Sequence, residues 1–148
     1  MRERRGLLKA AAALLLAGLL KPLAALAAWN KDAFASKSSA DALKSLGTRA
    51  AEASGGIAIE APQIAENGAV VPIEITSKIP GTTSIAVLVE KNPYPLVAKF
   101  DFMEGALPFV KINAKMGETS DVRVVATAGG KHYQATKEIK VTIGGCGG

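Results

Sequence analysis

The sequence has one cysteine and one histidine, with one Trp, two Tyr and four Phe, so it is poor in the side chains that bind metals, act as nucleophiles or stack on bases. With His132 as the one imidazole and Cys146 as the one thiol, the chain lacks the further ligands that a zinc site needs at coherent spacing. An internal disulfide is impossible. A Cys-His hydrolase would hold its thiol rigidly against the base, whereas Cys146 stands between Gly144-Gly145 and Gly147-Gly148. Clustered positive charge is missing too. The first 27 residues hold five Lys or Arg against one Glu, a net +4, which leaves +1 of the formal +5 for the rest of the chain. A near-neutral body carries no basic stripe for nucleic acid. No glycine-rich phosphate loop lies between a strand and a helix, which argues against nucleotide binding. The apolar run at 10–20 is too short to span a bilayer comfortably before Lys21 and Pro22 interrupt it.

That run belongs to a recognisable leader. Arg2, Arg4, Arg5 and Lys9 precede it, and small residues at Ala25-Leu26-Ala27 follow, which are the three parts of an export signal. We expect residues 1–27 to be cleaved after Ala27, with the protein in the periplasm. The segment Arg4-Arg5-Gly6-Leu7-Leu8-Lys9 is similar to the twin-arginine export pattern; an ordinary secretory signal and an uncleaved anchor are the alternatives. Residues 28–54 then read as a helix and linker. The helical pattern covers 29–46, with Ser38 or Ser39 as a cap, Ala40, Leu43 and Leu46 on one side, and Gly47 as the stop.

Beyond Ser54-Gly55-Gly56 the period changes to two. Strand-like runs occupy 57–61, 69–76, 83–91, 96–104, 108–116, 120–128 and 131–143, separated by Pro62, Asn67-Gly68, Pro80-Gly81, Asn92-Pro93, Gly105, Gly117 and Gly129-Gly130. About seven short strands at this spacing predict an all-β sandwich over 55–143. Alternation assigns Ile73 and Ile75, Ile85, Val87 and Val89, Val110, Ile112 and Ala114, and Ile139, Val141 and Ile143 to the core. Runs 83–91 and 96–102 are apolar on both sides, which fits either central strands or a surface covered by another subunit. Glu60, Glu66, Glu74, Asp101, Glu104 and Asp121 are scattered and read as surface charge; Met103 and Met116 read as strand-end packing, and His132 as an exposed strand or hairpin residue. No metal or other cofactor is expected, and no catalytic residue can be assigned.

What remains is the terminal stretch 144–148, Gly-Gly-Cys-Gly-Gly. Glycine visits positive and negative φ about equally, so this stretch is expected to be a flexible arm of about 17 Å when extended and about 12 Å on average. An exported thiol without a mate is either paired to another protein or chemically active. An ordinary thiol of pKa about 8.5 is slightly ionised near neutrality and open to oxidation or conjugation on demand. Prenylation is excluded, because two residues follow Cys146 and not three. A structural or adhesive sandwich with an incidental thiol is the competing reading.

Val141-Thr142-Ile143-Gly144-Gly145-Cys146-Gly147-Gly148 resembles the terminal signature of the SoxY family, the sulfur-substrate carriers of bacterial thiosulfate oxidation. The leader, the early helix and the segment Val89-Glu90-Lys91-Asn92-Pro93-Tyr94-Pro95-Leu96-Val97-Ala98 resemble that family in the same order. The resemblance implies an immunoglobulin-like β-sandwich that pairs with SoxZ, a second small sandwich. It implies a non-catalytic carrier whose Cys146 is joined to thiosulfate by the haem enzyme SoxAX, relieved of sulfate by SoxB and, where present, oxidised further by SoxCD. Gly144, Gly145, Gly147 and Gly148 would supply reach and slimness. Gly147-Gly148 is also similar to the end of ubiquitin-like sulfur carriers, but those are cytoplasmic, depend on ATP and have a compact β-grasp fold.

Overall fold

Alternating apolar residues in the second two thirds of the chain become two β-sheets packed face to face. The computed structural model describes residues 29–48 and 50–142. The expected leader, Ile143, the glycines 144, 145, 147 and 148, and Cys146 lie outside the described residues.

Among the described residues, nine strands follow two short helices, α1 (Lys31–Ala35) and α2 (Ser39–Ser45). The strands are β1 (Ala51–Ala53), β2 (Ile57–Glu60), β3 (Ile64–Ala65), β4 (Val71–Ser77), β5 (Thr82–Val89), β6 (Leu96–Asp101), β7 (Phe109–Ala114), β8 (Ser120–Ala128) and β9 (Lys131–Val141). One sheet runs β1-β9-β8-β5-β6, and β3 also pairs with β9; the other is the antiparallel trio β2-β4-β7. All seven expected strands are present, and the architecture is the expected immunoglobulin-like sandwich. The two additional strands, β1 and β3, both run parallel to β9, β1 beside His132–Gln134 and β3 beside Lys140 and Val141. Between them the chain leaves this sheet to form β2 in the other and then returns. Lys137 Nζ stitches that excursion down by donating to the carbonyls of Ile59 at 3.3 Å and Ala61 at 2.9 Å.

The core lies between the sheets. Val71, Ile73 and Ile75 of β4 meet Ile85, Val87 and Val89 of β5, Val122 and Val124 of β8, and Ile139 of β9, all essentially inaccessible. β-branched side chains suit a pleated surface, and each one fully buried stabilises the fold by about 1.5–3 kcal/mol. Met116 fills the same core, as its strand-end reading predicts, but Met103 is 85% exposed and packs against little. It sits in the loop between β6 and β7, beyond the last paired residue of β6, so no facing sheet covers it.

The expected helix over 29–46 is divided in two. Asn30 Oδ1 accepts from the Ala33 amide at 3.0 Å and caps α1, while Ser38 Oγ accepts from the Asp41 amide at 3.1 Å and caps α2. The extended conformations of Ser36 and Ser38 separate the two. Helix α2 ends at Gly47, whose φ of +73° permits two closing bonds, Gly47 N to Lys44 O and Thr48 N to Leu43 O, each 2.9 Å.

These helices explain the strands that are apolar on both sides. Ala86, Leu88, Leu96 and Val125 point away from the main core and are buried with Ala33 and Ala42, flanked by Phe34, Leu43 and Leu46. The second apolar face is therefore covered by the chain's own helices, and β5 is a central strand. A polar bridge fixes the cover: Ser39 Oγ donates to Glu90 Oε2 at 2.6 Å, and Arg123 Nε lies 2.9 Å from Glu90 Oε1. A hydrogen bond to a charged acceptor contributes about 1.5–3 kcal/mol, and the partial exposure of this one places it at the low end. Ser39→Ala should lower unfolding free energy in urea by about 1–1.5 kcal/mol. The loss should shrink when Glu90→Gln is already present, and equal losses in both backgrounds would remove the bridge as the cause.

Candidate functional site

Cys146 is the candidate side chain, and the described residues show what carries the chain toward it. Backbone pairing between β8 and β9 reaches Ser120 and Ile139 at this end of the sheet. The Val141 amide, two residues farther on, donates to Thr119 Oγ1 at 3.0 Å, so a side chain supplies the next rung. On the opposite edge of β9, Lys140 N donates to Gln63 O at 3.0 Å and Thr142 N to Ala65 O at 3.2 Å. Thr142 Oγ1 donates to Glu66 O at 3.3 Å. The last strand thus runs on a double rail past the point where β8 ends, with β3 as one rail and Thr119 as the other.

Gly68 closes the back of this support. Its carbonyl accepts from the Met116 amide at 2.7 Å, and a Cβ there would collide with Met116 O and stand 2.8 Å from Val141 Cγ1. Such a collision with a backbone carbonyl cannot be relieved by a rotamer change. Gly68→Ala should therefore cost about 1–3 kcal/mol in urea unfolding, with faster amide exchange at Met116, Val141 and Thr142. Wild-type stability and exchange in that variant would show that the loop yields freely.

Other chemistry-bearing residues are not brought to this end. His132 lies at the opposite end of β9, bonded to Thr127 Oγ1 through Nδ1 at 3.2 Å. The nine residues from there to Val141 span about 30 Å of strand. Glu74 pairs with Lys111 and Asp101 with Lys99, in keeping with their reading as surface charge. Among the described residues, no group of three or more His, Cys, Asp or Glu could hold a metal ion, and no helix is long and apolar enough to cross a membrane. A cleft of about 550 Å³ lies between the β4–β5 turn and the β6–β7 loop, lined in part by Ile79, Pro80, Phe102, Met103 and Pro108. It too is at the far end from Thr142, since β4 ends and β5 begins there while β9 has only started.

Thr119, Gly68 and β3 were not singled out from the sequence as parts of a support. Thr119 carries no motif, and β3 is two residues long, too short to display a period; the one available hint was Pro62 ahead of Ile64 and Ala65.

A protein-family model described as "Sulfur oxidation protein SoxY" matches residues 42–146, a range that runs through Cys146. The solved structure of the sulfur carrier protein SoxY from Chlorobium limicola f thiosulfatophilum is 42% identical, with a TM-score of 0.63, over 68% of this chain and 92% of its own. A superoxide reductase (neelaredoxin) from Ignicoccus hospitalis has a TM-score of 0.52 at 18% identity, over 58% of this chain and 79% of its own, a likeness of fold alone. No curated protein sequence matches the chain significantly.

Proposed function

The chain belongs to the SoxY family of sulfur oxidation proteins, a family of sulfur carriers, and we propose that it holds its cargo covalently on Cys146 Sγ. The observation that carries this reading is the family match through the one thiol of the sequence. The anchored end of β9 supports it, because a carrier needs a firm body from which to present a reactive end.

Loading is an oxidation. Cys146 thiolate and the outer sulfur of thiosulfate form an S–S bond while an electron pair leaves to the haem partner, SoxAX. Water then attacks the sulfone sulfur under SoxB catalysis; the S–SO₃ bond breaks, sulfate leaves and a persulfide stays on Cys146. Where SoxCD is present, it oxidises that outer sulfur to a sulfonate with oxygen from water, and SoxB releases a second sulfate to restore the thiol. The carrier contributes nucleophilic sulfur and access, with no acid or base of its own. Gly144, Gly145, Gly147 and Gly148 keep the backbone slim, so that unrelated enzymes can each admit Cys146; a β-branched neighbour would narrow and stiffen that path. In this reading the leader directs export to the periplasm, with cleavage near Ala27, and the body pairs with SoxZ.

The test is intact mass after incubation with thiosulfate and the oxidising partner. One S-thiosulfonate group should appear, map to Cys146 and disappear on reduction. An adduct on the Gly148 carboxylate, or none, would reject the reading.

A further inference from the structure

Methionine is unbranched and polarisable, so it commonly fills gaps in a core, and Met116 does so here. Its side chain is inaccessible to solvent, and its amide donates to Gly68 O at 2.7 Å. Met103 is the opposite case. It is 85% exposed and begins a run of five exposed residues, 103–107, in the β6–β7 loop. A turn holds it there: the Ala106 amide donates to Met103 O at 3.0 Å, and Gly105 takes a φ of +83°, which an L side chain would resist. The cleft of about 550 Å³ opens against the same loop, with Ile79 and Pro80 on its other wall. The Met103 thioether is therefore open to small oxidants from solvent, and that of Met116 is closed to them.

We propose that Met103 is a site of oxidative modification, which takes an oxygen atom from a hydroperoxide and becomes the sulfoxide while the fold stays intact. A lone pair on the thioether sulfur attacks the outer oxygen of the hydroperoxide. The S–O bond forms as the O–O bond breaks, sulfur gives up two electrons, and the second oxygen leaves with the proton of the first, as water or an alcohol. The product side chain is polar and chiral. In a core that change would disrupt packing, but Met103 takes no part in either buried cluster. What changes is the lip of the cleft, where an apolar side chain becomes a hydrogen-bond acceptor beside Leu107, itself 82% exposed. The loop stands at the end of the sandwich away from Thr142, and the reaction draws on no thiol.

The experiment treats the full chain, with Cys146 first blocked by iodoacetamide, with hydrogen peroxide and follows both methionines by tryptic mapping. Met103 falls on the peptide 100–111 and Met116 on 116–123, so the two are read separately. In the folded chain the Met103 peptide should gain one oxygen, about 16 Da, at least about tenfold faster than the Met116 peptide, which reacts only when the core opens. In concentrated urea the two rates should converge, because both side chains are then exposed. Met103→Leu should remove the fast reaction and leave the slow one, and the oxidised wild-type chain should unfold at the same urea midpoint as the untreated chain. Equal rates in the folded chain overturn the proposal. A preference for Met103 that persists in urea also overturns it, since the local sequence and not the fold would then set the reactivity. A urea midpoint that falls in step with sulfoxide at Met103 would place this side chain in a packed contact and overturn it as well.

Discussion

Cys146→Ser is expected to abolish the thiosulfate adduct completely and, in a reconstituted system, all sulfate production that depends on the carrier. The substitution exchanges Sγ for Oγ with nearly the same shape, so its effect isolates sulfur chemistry. A serine hydroxyl is not ionised near neutral pH and cannot form the S–S bond that the proposed loading step requires, so no slow residual pathway remains through the same position. Folding should be unaffected, with unfolding free energies in urea within about 0.5 kcal/mol of wild type, because none of the buried side chains between the sheets is altered. The measurement is intact mass followed by peptide mapping, with turnover of thiosulfate as the second readout. An adduct retained by the serine variant would move the attachment point elsewhere in the chain. Loss of the adduct together with a large fall in stability would mean that Cys146 acts through the fold.

The sandwich was legible because its strands are long enough to display alternation and are separated by Gly, Pro and Asn. Ile73 and Ile75, or Ile85, Val87 and Val89, can be assigned to the core from spacing alone, and all five are buried there. β1 and β3 were not legible, since three and two residues carry no period and their place depends on a partner, β9, far away in sequence. The helical stretch was legible as helical but not as divided, because the break at Ser36–Ser38 contains no Gly or Pro and arises from side-chain caps on both sides. Cys146 stood out by composition, as one thiol between glycine pairs. The support of its stem did not: Thr119 and Gly68 matter through contacts with Val141 that only the assembled loops create. Met103, placed on a strand by its apolar neighbours, belongs to a loop and is exposed.

Leu88→Ala should be among the most destabilising single changes, at about 2–5 kcal/mol, a large share of the 5–15 kcal/mol typical of a domain. Leu88 faces away from the sandwich core, and the sequence left open whether another subunit covers that side. In the structure it is fully buried within this chain, packed in the cluster that holds Ala33, Ala42, Ala86, Leu96 and Val125. The helices present alanines to the sheet, so they lie close and have little freedom to fill the space a lost leucine leaves. The cost should therefore appear in the isolated chain, accompanied by faster amide exchange in α1 and α2 but not in β4, which belongs to the other sheet. Val87→Ala, one residue away and pointing into the main core, is the matched control; it should loosen β4 instead. A cost below about 1 kcal/mol for Leu88→Ala in the isolated chain would mean that the helices leave this face in solution and that a partner subunit covers it. The expected result would leave that face closed by the chain's own helices, with helices and sheet as one body.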